Sequence, residues 1–132
     1  MMNKILMILI STGVLISCSK SDDNKNADLI GKWKLIEVLA DPGDGSGIFH
    51  SVLSEKIIEF QSNGTVTSNG SICDMSVESV SSSSGTYSLS DSIINSSDCP
   101  SSPLKIKFHK NGSTLTISYP CDEACIAKYI KK

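Results

Sequence analysis

The chain has 132 residues, a formal net charge of -2 from 12 basic and 14 acidic side chains, and only 5% aromatic residues. That balance offers no basic field for a nucleic-acid partner, and the length suits one domain rather than two. Few aromatic rings predict a core of Ile, Val and Leu and weigh against a deep, ring-lined ligand pocket.

Met1-Met2-Asn3-Lys4 is a short basic start, and Ile5 to Ile16 is apolar apart from Ser11, Thr12 and Gly13. This is the layout of a secretory signal peptide over residues 1–17. The run is too short for a spanning helix, which needs about twenty apolar residues. It ends in Leu15-Ile16-Ser17-Cys18, with none of the small-residue A-x-A pattern of ordinary signal peptides. The ending resembles the bacterial lipobox. That resemblance implies cleavage before Cys18, two acyl chains on its thiol and usually a third on the new amine. Two chains hold a protein on a membrane stably where one does so marginally. The expected location is therefore the cell outer membrane, with lipid on Cys18 as the membrane contact. Residues 18–27 read as a lipidated, flexible tether, polar and charged from Ser19 to Asn26. Within it, Lys20-Ser21-Asp22-Asp23 resembles the lysine-plus-acidic signal that sends some lipoproteins of the Bacteroidetes type to the cell surface. A solvated linker accounts for the same residues.

The folded domain is expected over 28–132. Asp28 to Val38 reads as a short turn and then a strand. Asp41-Pro42-Gly43-Asp44-Gly45-Ser46-Gly47 must be a loop, with one proline and three glycines in seven residues. Glu55 to Phe60 is strand-like, with Ile58 and Phe60 on one face. Ser62-Asn63-Gly64 is a hairpin turn, and Thr65-Val66-Thr67 returns. Asn69-Gly70 turns again ahead of Cys73. Ser81 to Gly85 reads as a flexible serine loop. Thr86 to Leu89 alternates, and Ile93-Ile94 is a short apolar step. Leu104 to His109 places Leu104, Ile106 and Phe108 inward, with the lysines and His109 outward. Asn111-Gly112 turns the chain, Thr114 to Tyr119 repeats the alternation with Leu115, Ile117 and Tyr119 inside, and Pro120 stops it. Ile126 to Lys132 is a closing strand. No stretch carries a helical period. Seven or so short strands argue an all-β antiparallel sandwich or barrel.

Four cysteines follow Cys18: Cys73, Cys99, Cys121 and Cys125. An even number in an exported domain reads as two disulfides, with three pairings open. Loop length favours Cys121–Cys125 and Cys73–Cys99. A four-thiolate zinc site is a poorer reading, because Cys73 and Cys99 do not form a close pair. His50 and His109 lack a second histidine at ligand spacing and read as solvated. No G-x-S-x-G elbow, H-E-x-x-H or P-loop is present. The chain therefore reads as non-catalytic, without metal or other cofactor. Asp41 to Gly47 offers carboxylates and a hydroxyl to calcium, but only about half of the six to eight oxygens the ion takes. A turn-rich connection fits it better.

Gly31-Lys32-Trp33 follows Leu29-Ile30, Ile58-Glu59-Phe60 leads into Asn63-Gly64-Thr65, and Gly85-Thr86-Tyr87 comes later. This ordered set resembles the short lipocalin-like lipoproteins common in Bacteroidetes. The resemblance implies a small antiparallel up-and-down β-barrel with Gly31 and Trp33 as its structural signature. It implies that Trp33 plugs one end, with Lys128 or Lys131 from the last strand lying across the indole. Long-form lipocalins are larger, so a smaller or incompletely closed barrel is expected, and a barrel of that size leaves two options open, a ligand cup or an interior filled by its own side chains. The implied function is binding of a small hydrophobic ligand or an envelope component. Envelope domains of the META type begin with the same L-x-G-x-W pattern. They supply the alternative: a structural or protein-interaction module without a ligand cavity.

Overall fold

A computed structural model describes residues 26–132. The signal peptide and the lipidation site at Cys18 lie outside these residues. Nine strands follow one another: β1 (Gly31–Ala40), β2 (His50–Ser51), β3 (Ile57–Phe60), β4 (Thr65–Ser68), β5 (Ser83–Ser88), β6 (Ile93–Asn95), β7 (Ile106–Asn111), β8 (Thr114–Ser118) and β9 (Cys125–Lys131). From β3 to β9 each strand pairs with the next, and β1 pairs with both β3 and β9. Eight strands thus form a closed, antiparallel, up-and-down barrel, with β2 as an extra strand.

Of the two alternatives, a smaller barrel or an incompletely closed one, the structure has the closed barrel. The seam is the longest ladder in the molecule. It runs from Trp33 opposite Lys131 to Ala40 opposite Cys125, with a bulge between Leu35 and Glu37. A full seam removes the unpaired edges on which other chains add. The bulge bends β1. Its first half pairs with β3, and its second half is left to β2, which matches Glu37 with Ser51 and Val38 with His50. Two residues are too few to leave a sequence pattern, so β2 was not foreseen.

Period-2 alternation makes the inner wall. Ile58 and Phe60, Val66, Ile106 and Phe108, Leu115 and Ile117, and Ala127 and Tyr129 point inward and are buried. Two expectations fail locally. Leu104 is exposed rather than inward. Its N–H turns back to the Ser102 hydroxyl, and β6 offers β7 partners only at Ile106 and Lys107. Ser83, Ser84 and Gly85 are not a loop. They pair with Ser68, Thr67 and Val66. Gly85 is required there, because a Cβ would run into the Asn95 carbonyl of the neighbouring strand.

Nine of the fifteen buried core residues are Ile, Val or Leu, as composition predicts, and the rings join them. Of seven aromatic residues, only Phe49 is left outside. Trp33, Phe60, Phe108, Tyr119 and Tyr129 are buried, and Tyr87 packs against them. The rings are few, but they are concentrated on the barrel axis.

The barrel has two unlike ends. The lower end carries short connections, 61–64, 89–92 and 112–113, and a single helical turn over 26–29. That turn takes in Asn26 and Ala27, which the sequence reading gives to the tether. The upper end carries the long connections 41–56, 69–82, 96–105 and 119–124. Both disulfides hold this end: Cys73–Cys99 and Cys121–Cys125. The three open pairings thus resolve to the one that loop length favours. In the chain-entropy account the 26-residue separation of the first contributes roughly 3–4 kcal/mol, and the four-residue separation of the second contributes less.

Candidate functional site at the two ends of the barrel

At the lower end, Trp33 is completely buried, and its indole N–H donates to the Leu29 carbonyl at 2.9 Å. The helical turn exists to present that carbonyl. Ile30 N–H closes the turn on the Asn26 carbonyl at 3.1 Å. Lys131 Nζ lies 4.7 Å from the centroid of the indole ring and donates to the Asp28 and Ile30 carbonyls. Burial lowers the Lys131 pKa, with the nearby Lys110 charge acting in the same direction and Asp28 against it. Lys131, not Lys128, therefore takes the position the resemblance implies. Gly31 is part of the same fitting. Its φ of +124° is unfavourable for other residues, and a Cβ there would sit 3.1 Å from Lys131 Nζ. Lys128 is turned to the outer wall, with Nζ 2.7 Å from Glu37 Oε2 and 4.0 Å from the Phe49 ring centroid.

Above the indole, the Phe60 ring lies 5.1 Å from Tyr87 and 5.5 Å from Phe108, in edge and tilted contacts. The Tyr87 hydroxyl donates to the Gln61 carbonyl at 2.7 Å, tying the ring cluster to the first hairpin. This end is a plug of packed rings closed by hydrogen bonds.

The upper end holds the group that sequence reasoning missed. Lys56 is 1% exposed. Its ammonium donates to the Asp74 carbonyl at 3.1 Å and the Ser76 carbonyl at 2.8 Å, both on connection 69–82. Its position was legible, because Lys56 is in phase with Ile58 and Phe60 on the inward face. The Tyr119 and Tyr129 hydroxyls are buried 3.3 Å apart. Burial brings the Lys56 pKa down to about 8, against the opposing charge of Asp74. Burial pushes Tyr129 up to about 12 and Tyr119 well above 10, and the Asp74 charge raises both. Lys56, Tyr119 and Tyr129 thus share the field of one carboxylate.

This gives a signed pH prediction. Between pH 8 and 10.5 the unfolded chain holds a Lys56 proton that the folded chain has released. Stability therefore rises across that window and is lowest below pH 8, where the fold must carry a buried charge. Above pH 10 the raised tyrosines reverse the trend, since the fold keeps protons that the unfolded chain loses. Urea midpoints should climb from pH 7.5 to 9.5 in the native chain and climb less in Lys56→Met. Parallel profiles for the two proteins would refute the assignment.

The remaining sequence candidates are placed as follows. His50 and His109 are exposed on β2 and β7. Asp41 Oδ1 accepts from the N–H groups of Gly43, Asp44 and Gly45, and its Oδ2 accepts from Gly47 at 2.9 Å. These bonds, that from Gly47 foremost, lower its pKa. Both oxygens knit a turn, which is the connection the sequence reading preferred to a calcium loop. Among the described residues, no three His, Cys, Asp or Glu side chains are grouped to hold a metal ion. Cys73 and Cys99 line an open cleft of about 430 Å³ with Ile94, Leu104, Lys105 and Pro120. No family model matches the chain, and neither a curated protein nor a solved structure does.

Proposed function

We propose that this is a lipocalin-like lipoprotein of the cell envelope, held at the outer membrane by lipid on Cys18, that works by binding a protein partner through its surface. The observation that carries this reading is the filled interior. From Trp33 at the lower end through Phe60, Phe108 and Tyr129 to Ile72 at the upper end, the axis is occupied by the protein's own buried side chains. With both disulfides closed, the small hydrophobic ligand of the first reading would have to displace one of them. The alternative, an interaction module, fits the packed barrel better. Neither a cofactor nor nucleic acid enters this reading, and no reaction is assigned.

The geometry also favours one face. Residue 26 lies at the lower end, so the proposed anchor is nearest there. Six large apolar side chains are exposed; the four most exposed, Ile48, Leu53, Val80 and Leu104, lie on the upper connections, while Leu89 lies on a lower hairpin and Ile130 on β9. A photo-cross-linking residue at Leu53 or Val80 of the full chain in cells should capture an envelope protein, and one at Ser90 on a lower hairpin should not. Capture from Ser90 alone would overturn the assignment of the face. Absence of any adduct, together with an apolar molecule retained in native mass spectrometry, would overturn the surface role itself.

A further inference from the structure

We propose that the lower end of the barrel carries a phosphate site, a cavity bordered by Lys110 and Lys131, and that its ligand is the phosphomonoester headgroup of a membrane lipid. The site stands on the barrel alone. Only the choice of a lipid as the source of the phosphate rests on the envelope reading above.

Two inward rows of the barrel end in a lysine at this mouth. On β7 the row is Ile106, Phe108 and then Lys110; on β9 it is Ala127, Tyr129 and then Lys131. Only β8 lies between these strands. The indole accounts for one of the two. Lys131 lies over the Trp33 ring and donates to the Asp28 and Ile30 carbonyls. Lys110 belongs to the same mouth, with a side chain 24% exposed, and the plug does not need it.

The second ammonium works against the first. Burial is the larger cause that lowers the Lys131 pKa, and the Lys110 charge is the next. Asp28 opposes both, but loosely: its side chain is 69% exposed, and its Oδ2 lies 3.8 Å from Lys110 Nζ. Two ammoniums thus share one solvated carboxylate. A neutral side chain at position 110 would relieve the repulsion, so the fold alone gives no reason for the lysine. An anion bridging the pair does.

The space for that anion exists. Lys110 and Lys131 border a cavity of about 490 Å³ that opens to solvent, with Ser113 beside them and Ala27, Ile30 and Trp33 as its apolar wall. A phosphomonoester suits it better than a carboxylate. It brings close to two negative charges and three acceptor oxygens, enough to pair with both ammoniums at once. The apolar wall fits the part of a lipid that follows its headgroup. Position argues for the same source. Asn26, in the turn that forms this wall, is eight residues beyond Cys18, a span of at most about 28 Å. With lipid on Cys18, this mouth is the part of the barrel that meets headgroups. A bound headgroup then holds the lower end against the membrane and turns the upper connections outward.

The test uses the full-length protein in neutral detergent, with an amine-reactive acetylating reagent read by peptide mapping. Water-soluble dihexanoyl phosphatidic acid should slow acetylation of Lys110 and Lys131 severalfold, while Lys105 on an upper connection keeps its rate. Dihexanoyl phosphatidylcholine and inorganic phosphate should protect neither. A lysine beside an anionic headgroup contributes about fivefold in affinity, so Lys110→Met should raise the phosphatidic acid needed to half-protect Lys131 about fivefold. Asp28→Asn, which removes the competing carboxylate, should lower it. Absence of protection by phosphatidic acid would overturn the site. Equal protection by inorganic phosphate or phosphatidylcholine would overturn the lipid phosphomonoester as its ligand. A Lys110→Met variant with a lower urea midpoint and unchanged protection of Lys131 would make Lys110 structural and overturn the paired site. The lipids are dissolved singly, so a chain without acyl groups on Cys18 should give the same footprint. A missing anchor and a missing site are therefore separate results.

Discussion

Truncating Trp33 to alanine is expected to lower stability by about 3–5 kcal/mol, the range for removing a fully buried indole. Three losses combine. The side chain is wholly inside, so its volume becomes a cavity. The Leu29 carbonyl loses its donor at 2.9 Å. Lys131 loses the ring beneath its ammonium. The first loss dominates. A neutral hydrogen bond contributes about 1 kcal/mol, and a cation–π contact about 0.5–2 kcal/mol. Small domains hold only about 5–15 kcal/mol in total, so the variant should be close to unfolding under mild denaturant. Urea titration followed by far-ultraviolet circular dichroism measures the change. Lys131→Met should cost less than Trp33→Ala, and the double variant should cost less than the two together, because each removes the same contact. A loss below about 1 kcal/mol for Trp33→Ala would mean that the indole is not the plug described here.

The plug was legible only through the resemblance, which implied Trp33 at one end and a basic side chain across it; the structure adds what the residues do there. Gly31 must adopt a positive φ, Trp33 must be buried, and a basic side chain must return from the last strand. The inward faces of β3, β7 and β8 were legible in the residues themselves: period-2 alternation survives wherever a strand has a neighbour along its length. It failed at Leu104, where Pro103 and a short β6 leave no ladder to join. It failed at Ser83 to Gly85, where serine-rich composition suggests flexibility but the neighbouring strands supply the pairing. There a polar strand is specified by its partners rather than by its own residues. Aromatic scarcity predicted the aliphatic majority of the core but not the placing of the rings, because composition counts rings and not where they go. Lys56 was overlooked because a lysine is read as exposed by default. Its parity with Ile58 said otherwise. What the parity did not show was its partners, two carbonyls about twenty positions away on a connection with no repeating pattern.

Replacing Cys18 with alanine is expected to remove both the lipid and the membrane retention of this chain. The expectation follows from the proposed lipobox and from the energetics of acyl anchoring. Each buried methylene contributes about 0.8 kcal/mol, so one chain binds a bilayer marginally, while two or more make release negligible. Among the described residues no helix is long and apolar enough to span a membrane. The barrel wall carries charge outside, including Lys107 and the Lys128–Glu37 pair, and its interior is mostly apolar. That is the reverse of the apolar outer band of a membrane-spanning barrel. In the proposed reading the anchoring falls on the residue at position 18. Metabolic labelling with an alkyne fatty acid should tag the native chain and not Cys18→Ala, and fractionation should move the variant from the membrane to the soluble fraction. Its disulfides should still form, since in the proposed reading Cys73–Cys99 and Cys121–Cys125 depend on export and not on lipid. A native chain found unlabelled, soluble and still carrying residues 1–17 would remove the anchor, and with it the compartment assigned to the barrel.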